Sequence, residues 1–129
     1  MIFKGIKIRF DCTNNQQYKT IGEFWKYMIG MYPNDTLKGV GCNWYDDCLD
    51  YIIGDFAITH NYDMRIITDY YPNAEYVEIN LPDEGWQIYH CELDELSNLY
   101  EEIYKDGALE YEIEEIKSDG NCVISIIRG

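Results

Sequence analysis

The strongest constraint on the fold is a change of hydrophobic period that occurs twice in the same order. From Ile2 to Phe10 the chain alternates, Ile2, Lys4, Ile6, Ile8 and Phe10 against Phe3, Gly5, Lys7 and Arg9. That is the two-residue period of a strand. Ile21, Phe24, Trp25, Met28 and Ile29 then recur at the spacing of one helix face. Thr20 and Glu23 stand three residues apart just before this stripe, a capping-box pattern that predicts a helix opening at Thr20. Leu37–Tyr45 and Leu49–Thr59 read as two strands around Asp46-Asp47, a hairpin.

The second half repeats this succession. Glu75–Leu81 alternates, Pro82-Asp83-Glu84-Gly85 interrupts, and Trp86–Cys91 resumes as strand. Leu93, Leu96, Leu99, Tyr100 and Ile103 form a helical stripe with Gly107 placed to end it. Leu109–Ile116 and Cys122–Ile127 flank the turn Ser118-Asp119-Gly120-Asn121. The expected fold is therefore α+β: two β-α-β-β repeats, about residues 1–60 and 74–129, in a single domain spanning 1–129. Antiparallel sheets with both helices on one side would leave a ligand cleft between the repeats. The connecting stretch Asn61–Asn73 is Tyr- and Asp-rich, and Met64–Thr68 within it reads as a short strand.

Composition narrows the function classes. A net charge of −14 repels phosphate backbones and anionic membrane surfaces, so direct nucleic-acid or membrane binding is not expected. A cationic ligand or a basic protein partner is compatible with it. Thirteen Tyr and three Trp supply rings that suit either a ligand pocket or a Tyr-rich core. Five Cys without a C-x-x-C pair fit reduced thiols, and the start Met1–Gly5 shows no apolar leader, which together predict a cytoplasmic protein. No cofactor or metal site is expected. His60 and His90 lack a partner at metal or catalytic spacing, and Asp46-Asp47 with Asp50 does not match a calcium loop.

Several motifs, in order, resemble those of the GyrI-like, or bacterial effector-binding, superfamily. They are Gly5–Arg9 on the first strand, Thr20–Trp25 at the helix opening, Gly39-Val40-Gly41 with Leu49-Asp50-Tyr51-Ile52-Ile53-Gly54 in the hairpin, Ile79–Pro82 with Trp86–Cys91, and Leu99–Tyr104 on the second helix. The chain departs from the family at Trp86, where Tyr is usual, and in a shortened segment Lys105–Leu109.

The resemblance implies a stand-alone domain that binds hydrophobic, aromatic or cationic small molecules, linked to transcriptional regulation or to drug and toxin sensing. It also implies a buried glutamate on the penultimate strand. Glu112 is the preferred match and Glu110, two residues away on the same strand face, the alternative. A solvated row of Glu110, Glu112 and Glu114 is the competing reading of that strand. The remaining ligand-binding candidates are Tyr51, Trp44, Trp86, Tyr89 and Trp25. Tyr51 matches a family position; Trp44 is equally readable as cross-strand packing, and Trp25, at helical spacing with Ile21 and Met28, reads as core ahead of pocket. The face of Trp86 and that of Tyr89 are opposite, and either could meet the cleft. A protein-interaction module, as in gyrase-inhibiting relatives, is the alternative function. A hydrolase using Glu112 as general base with a Tyr ranks below both, so catalysis is less expected than binding.

Overall fold

A computed structural model describes residues 1–33, 36–56 and 61–129. The elements, in order, are β1 (Ile2–Asp11), α1 (Gln17–Met31), β2 (Lys38–Tyr45), β3 (Cys48–Asp55), α2 (Met64–Tyr70), β4 (Glu75–Asn80), β5 (Gln87–Glu92), α3 (Leu96–Lys105), β6 (Leu109–Ile116) and β7 (Asn121–Arg128). Short 3-10 turns lead into α1 and α3. The fold is α+β, with the strands in one antiparallel sheet of order β4-β1-β3-β2-β6-β7-β5. No helix among the described residues is long and apolar enough to cross a membrane.

That order shows how the two repeats combine. One repeat contributes β1-β3-β2 and the other β6-β7-β5, and β2 pairs with β6 where they meet. The separate sheets expected from sequence are thus one continuous sheet, because each repeat would otherwise leave its last-but-one strand edge unpaired. The strand Glu75–Asn80 was assigned to the second repeat; it is instead an extra edge strand beside β1, with Ile6 opposite Tyr76. The break at Pro82–Gly85, where Gly85 takes φ 91°, lets the chain cross from that edge to β5 on the far one.

Two local expectations are corrected. Met64–Thr68 is helical, not a strand: the Asp63 carboxylate accepts from the amides of Arg65 (3.1 Å) and Ile66 (3.4 Å), and this cap starts α2. Helix α1 begins before Thr20. The Thr20 hydroxyl lies inside the first turns and donates back to the carbonyls of Gln16 (3.3 Å) and Gln17 (3.4 Å), so it caps nothing. The hairpin turns stand as read. Asp46 and Asp47 both take positive φ (53° and 56°), the conformation a two-residue hairpin loop requires. Residues 57–60, the end of the strand predicted to Thr59 together with His60, lie outside the described residues.

The sheet is covered unequally. On one face α1 and α2 pack Phe24, Met28 and Ile67 onto Ile6, Ile8, Phe10 and Ile53, while α3 sets Tyr100 and Ile103 on Ile124 and Ile126. On the other face Phe3, Val40, Ile52 and Ile113 are buried beneath Leu81, Phe56 and Trp86 from connecting segments. All five cysteines are free thiols.

Candidate functional site

The site arises where the two repeats join. There β2 presents glycine at positions 39 and 41 toward the helix side of the sheet. Gly41 stands opposite Tyr51 of β3 and Glu112 of β6, and Gly39 stands opposite Glu114. With no side chain on β2, the floor of the groove between α1 and α3 is low. A Cβ on Gly39 would lie 1.9 Å from the Tyr51 hydroxyl oxygen. The glycine is what allows the phenol to lie across β2 and reach β6.

The result is a cavity of about 730 Å³. Ile21 and Trp25 of α1, Trp44 and Leu49 of the hairpin, and Leu96, Tyr100 and Tyr104 of α3 form its walls. Tyr100 and Tyr104, one helical turn apart, stack with ring centres 5.7 Å apart. Glu112 and Glu114 lie at the floor, 4% and 8% exposed.

A chain of donors converges on these two carboxylates. Trp25 Nε1 donates to Tyr51 Oη at 2.9 Å, and Tyr51 Oη donates to Glu114 Oε1 at 3.3 Å. Tyr100 Oη donates to Glu114 Oε2. Tyr104 Oη donates to Glu112 Oε2 at 2.7 Å. Among the described residues neither glutamate forms an ion pair; the pairs formed elsewhere are Met1 amine–Asp83, Lys7–Glu75 and Arg9–Asp50. Two acids buried this deeply without a cation oppose their own ionisation. Burial, and then the neighbouring Glu114, push the Glu112 carboxyl up to about 7, against the pull of the Tyr104 and Tyr100 hydroxyls. Burial also raises Glu114, although the donors Tyr100, Tyr51 and Trp25 hold it back. The phenols of Tyr51, Tyr100 and Tyr104 are pushed well up by burial and stay neutral donors.

The sequence candidates divide between cavity and packing. Glu112, Tyr51, Trp44 and Trp25 all line the cavity. Glu110 is exposed, so register places Glu112 rather than Glu110 within. The solvated acidic row is overturned for Glu112 and Glu114, because α3 covers that face of β6. Trp86 does not reach the cavity. It lies across the opposite face of the sheet, its indole N–H donating to the Pro82 carbonyl (2.8 Å) and its ring 6.5 Å from that of Tyr111. Tyr89 is on the helix side but packs with the Ile124–Ile126 cluster under α3, away from the opening. Trp86→Ala is expected to destabilise the fold by about 2 kcal/mol in chemical denaturation and to leave ligand affinity unchanged within about twofold. A large loss of affinity at unchanged stability would return Trp86 to the site.

Glu114, Tyr100 and Tyr104 went unselected from sequence. Glu114 was readable as the same-face neighbour of Glu112. Tyr100 and Tyr104 sit at i and i+4 on the apolar stripe of α3, where an aromatic reads as core.

No family model matches the chain, and no curated protein matches it. A solved structure described as SAV2435 bound to tetraphenylphosphonium superposes on it with a TM-score of 0.64. The match covers 98% of this chain and 87% of the other, at 13% identity. At that identity the likeness is one of fold.

Proposed function

We propose that residues 1–129 form a GyrI-like effector-binding domain whose cavity takes a hydrophobic, aromatic cation. One observation carries this reading: two buried carboxylates, neither in an ion pair among the described residues, face an aromatic-walled cavity of about 730 Å³. A carboxylate in such a place is costly unless an opposite charge meets it, and rings stabilise a cation through their faces. The structural neighbour's bound tetraphenylphosphonium, an apolar cation, supports the same ligand class. Drug or toxin sensing, or transcriptional control, follows from the same reading. A formal net charge of −14 disfavours DNA, so occupancy would be reported through a protein partner, in the cytoplasm.

Trp25 and Trp44 line the cavity and provide the signal. Titration with tetraphenylphosphonium is expected to quench their fluorescence saturably. Removing both acids together, Glu112→Gln with Glu114→Gln, is expected to weaken binding about tenfold, or about 1.4 kcal/mol. No quenching by any of a broad panel of hydrophobic cations would sink the proposal.

A further inference from the structure

The floor carries two acids where one would answer a single cation. We propose that the Glu112–Glu114 pair is a two-charge subsite, and that the cavity selects aromatic ligands bearing two cationic centres over those bearing one. This rests on the cation-binding reading above and sharpens it to a ligand class.

Geometry supports the pairing. Residues two apart on one strand face have Cα atoms about 7 Å apart, which places both carboxyls within reach of a single ligand. Both line the same cavity and both are at least nine-tenths buried. Tyr100 is shared between them: its hydroxyl donates to Glu114 Oε2 and its ring stacks on that of Tyr104, the donor to Glu112. The cavity, at about 730 Å³, is of a size that accepts a drug-sized molecule spanning both acids.

The two acids differ in how well their charge is held. Glu114 receives two phenol hydroxyls, one of them backed by Trp25. Glu112 receives Tyr104 and suffers the field of Glu114. Glu114 therefore ionises first, and Glu112 keeps its proton until near neutrality. A monocation neutralises Glu114 and leaves Glu112 protonated. A dication neutralises both, and the Glu112 proton passes to solvent. The preference for two charges should accordingly grow with pH.

The other titratable and charged groups around the pair do not compete for this window. They are Tyr18 and Lys26 on α1, Tyr51 on β3, Tyr100 and Tyr104 on α3, and Cys12 at the rim, with Cys91 and Cys122 beyond Glu114. Burial raises the thiols and the phenols among them, so all stay neutral between about pH 5 and pH 8. Lys26 is exposed at the mouth.

The test compares aromatic mono-amidines with bis-amidines of matched scaffold, measured by calorimetry and tryptophan quenching. At about pH 8.5 the bis-amidine is expected to bind about tenfold or more tightly than its mono-amidine, and at about pH 5.5 the advantage should shrink severalfold. In Glu112→Gln the advantage should vanish at both pH values while the mono-amidine still binds. Equal affinities in the wild type at the higher pH would overturn the proposal and leave cation binding standing. An advantage that persists undiminished in Glu112→Gln would overturn it too, assigning the preference to the acidic surface, which the variant retains. Binding of neither compound, nor of tetraphenylphosphonium, would overturn both proposals together.

Discussion

Raising the pH from about 5 to about 8 is expected to take up to roughly 3 kcal/mol of stability from the ligand-free protein, and Glu112→Gln to remove most of that loss. The cause is the burial of the Glu112 carboxyl beside Glu114, which lifts it from an ordinary 4.5 to about 7. Between those two values the folded chain holds a proton that the unfolded chain has released. The stability from this group is therefore complete below about 4.5 and is lost as pH climbs through 7. Glutamine keeps the shape and the acceptor for Tyr104 without a charge to bury, so the variant should lack this part of the slope. A shallower slope from Glu114, raised by the same burial, should remain. Denaturant midpoints across the pH range measure this directly. Parallel curves for wild type and Glu112→Gln would show that Glu112 is not the group held protonated. A saturating aromatic dication should flatten the wild-type curve as well, because it stabilises the ionised form of Glu112 and binds only the folded chain.

Gly54→Ala is expected to destabilise the fold by about 3 kcal/mol, enough to unfold much of a marginally stable chain at modest denaturant. Gly54 pairs with Gly5 across β3 and β1. A Cβ at position 54 would sit 1.9 Å from the Lys4 carbonyl oxygen and 2.6 Å from the Gly5 Cα. Both obstacles are backbone, so no rotamer change relieves them and the two strands must separate. These strands carry Ile6, Ile8, Leu49 and Tyr51, so the damage reaches the cavity floor as well as the core. The contrast is Gly39→Ala, where the obstacle is the buried Tyr51 side chain and not backbone; there the ring must leave Trp25 and Glu114, so the loss should fall on ligand affinity as well as on stability. Urea denaturation of both variants separates the cases, and a Gly54→Ala midpoint equal to wild type would refute the close-approach account.

Legibility followed the range of the interaction. The first strand, both hairpins and the α3 stripe rest on neighbours in sequence, and they were readable from period and turn residues. The start of α2 is also local, an Asp63 cap, yet it was missed because Met64–Thr68 is too short for its period to separate helix from strand. The opposite error occurred at Thr20, whose spacing to Glu23 imitates a cap inside a helix already begun at Gln17. Glu75–Asn80 has a clear strand pattern, but its partner could not be read, since pairing with β1 depends on residues about seventy positions away.

Within the site, Tyr51 and Glu112 were selected by motif, while Glu114 and the Tyr100–Tyr104 pair emerged only when α3 was laid over β6. Trp86 shows the reverse: a ring that composition suggests for a pocket was committed elsewhere once the chain crossed the sheet and its indole met the Pro82 carbonyl.

What the chain by itself determined is the succession of elements, two passes of strand, helix and hairpin, because periodicity and turn chemistry act over a few residues. Tertiary structure alone decided that the passes join through β2 and β6, that two glycines lower the floor there, and that two glutamates face inward, neither in an ion pair among the described residues. Strand neighbours, burial and the field of one acid on another depend on distances in space, and spacing along the chain does not encode them.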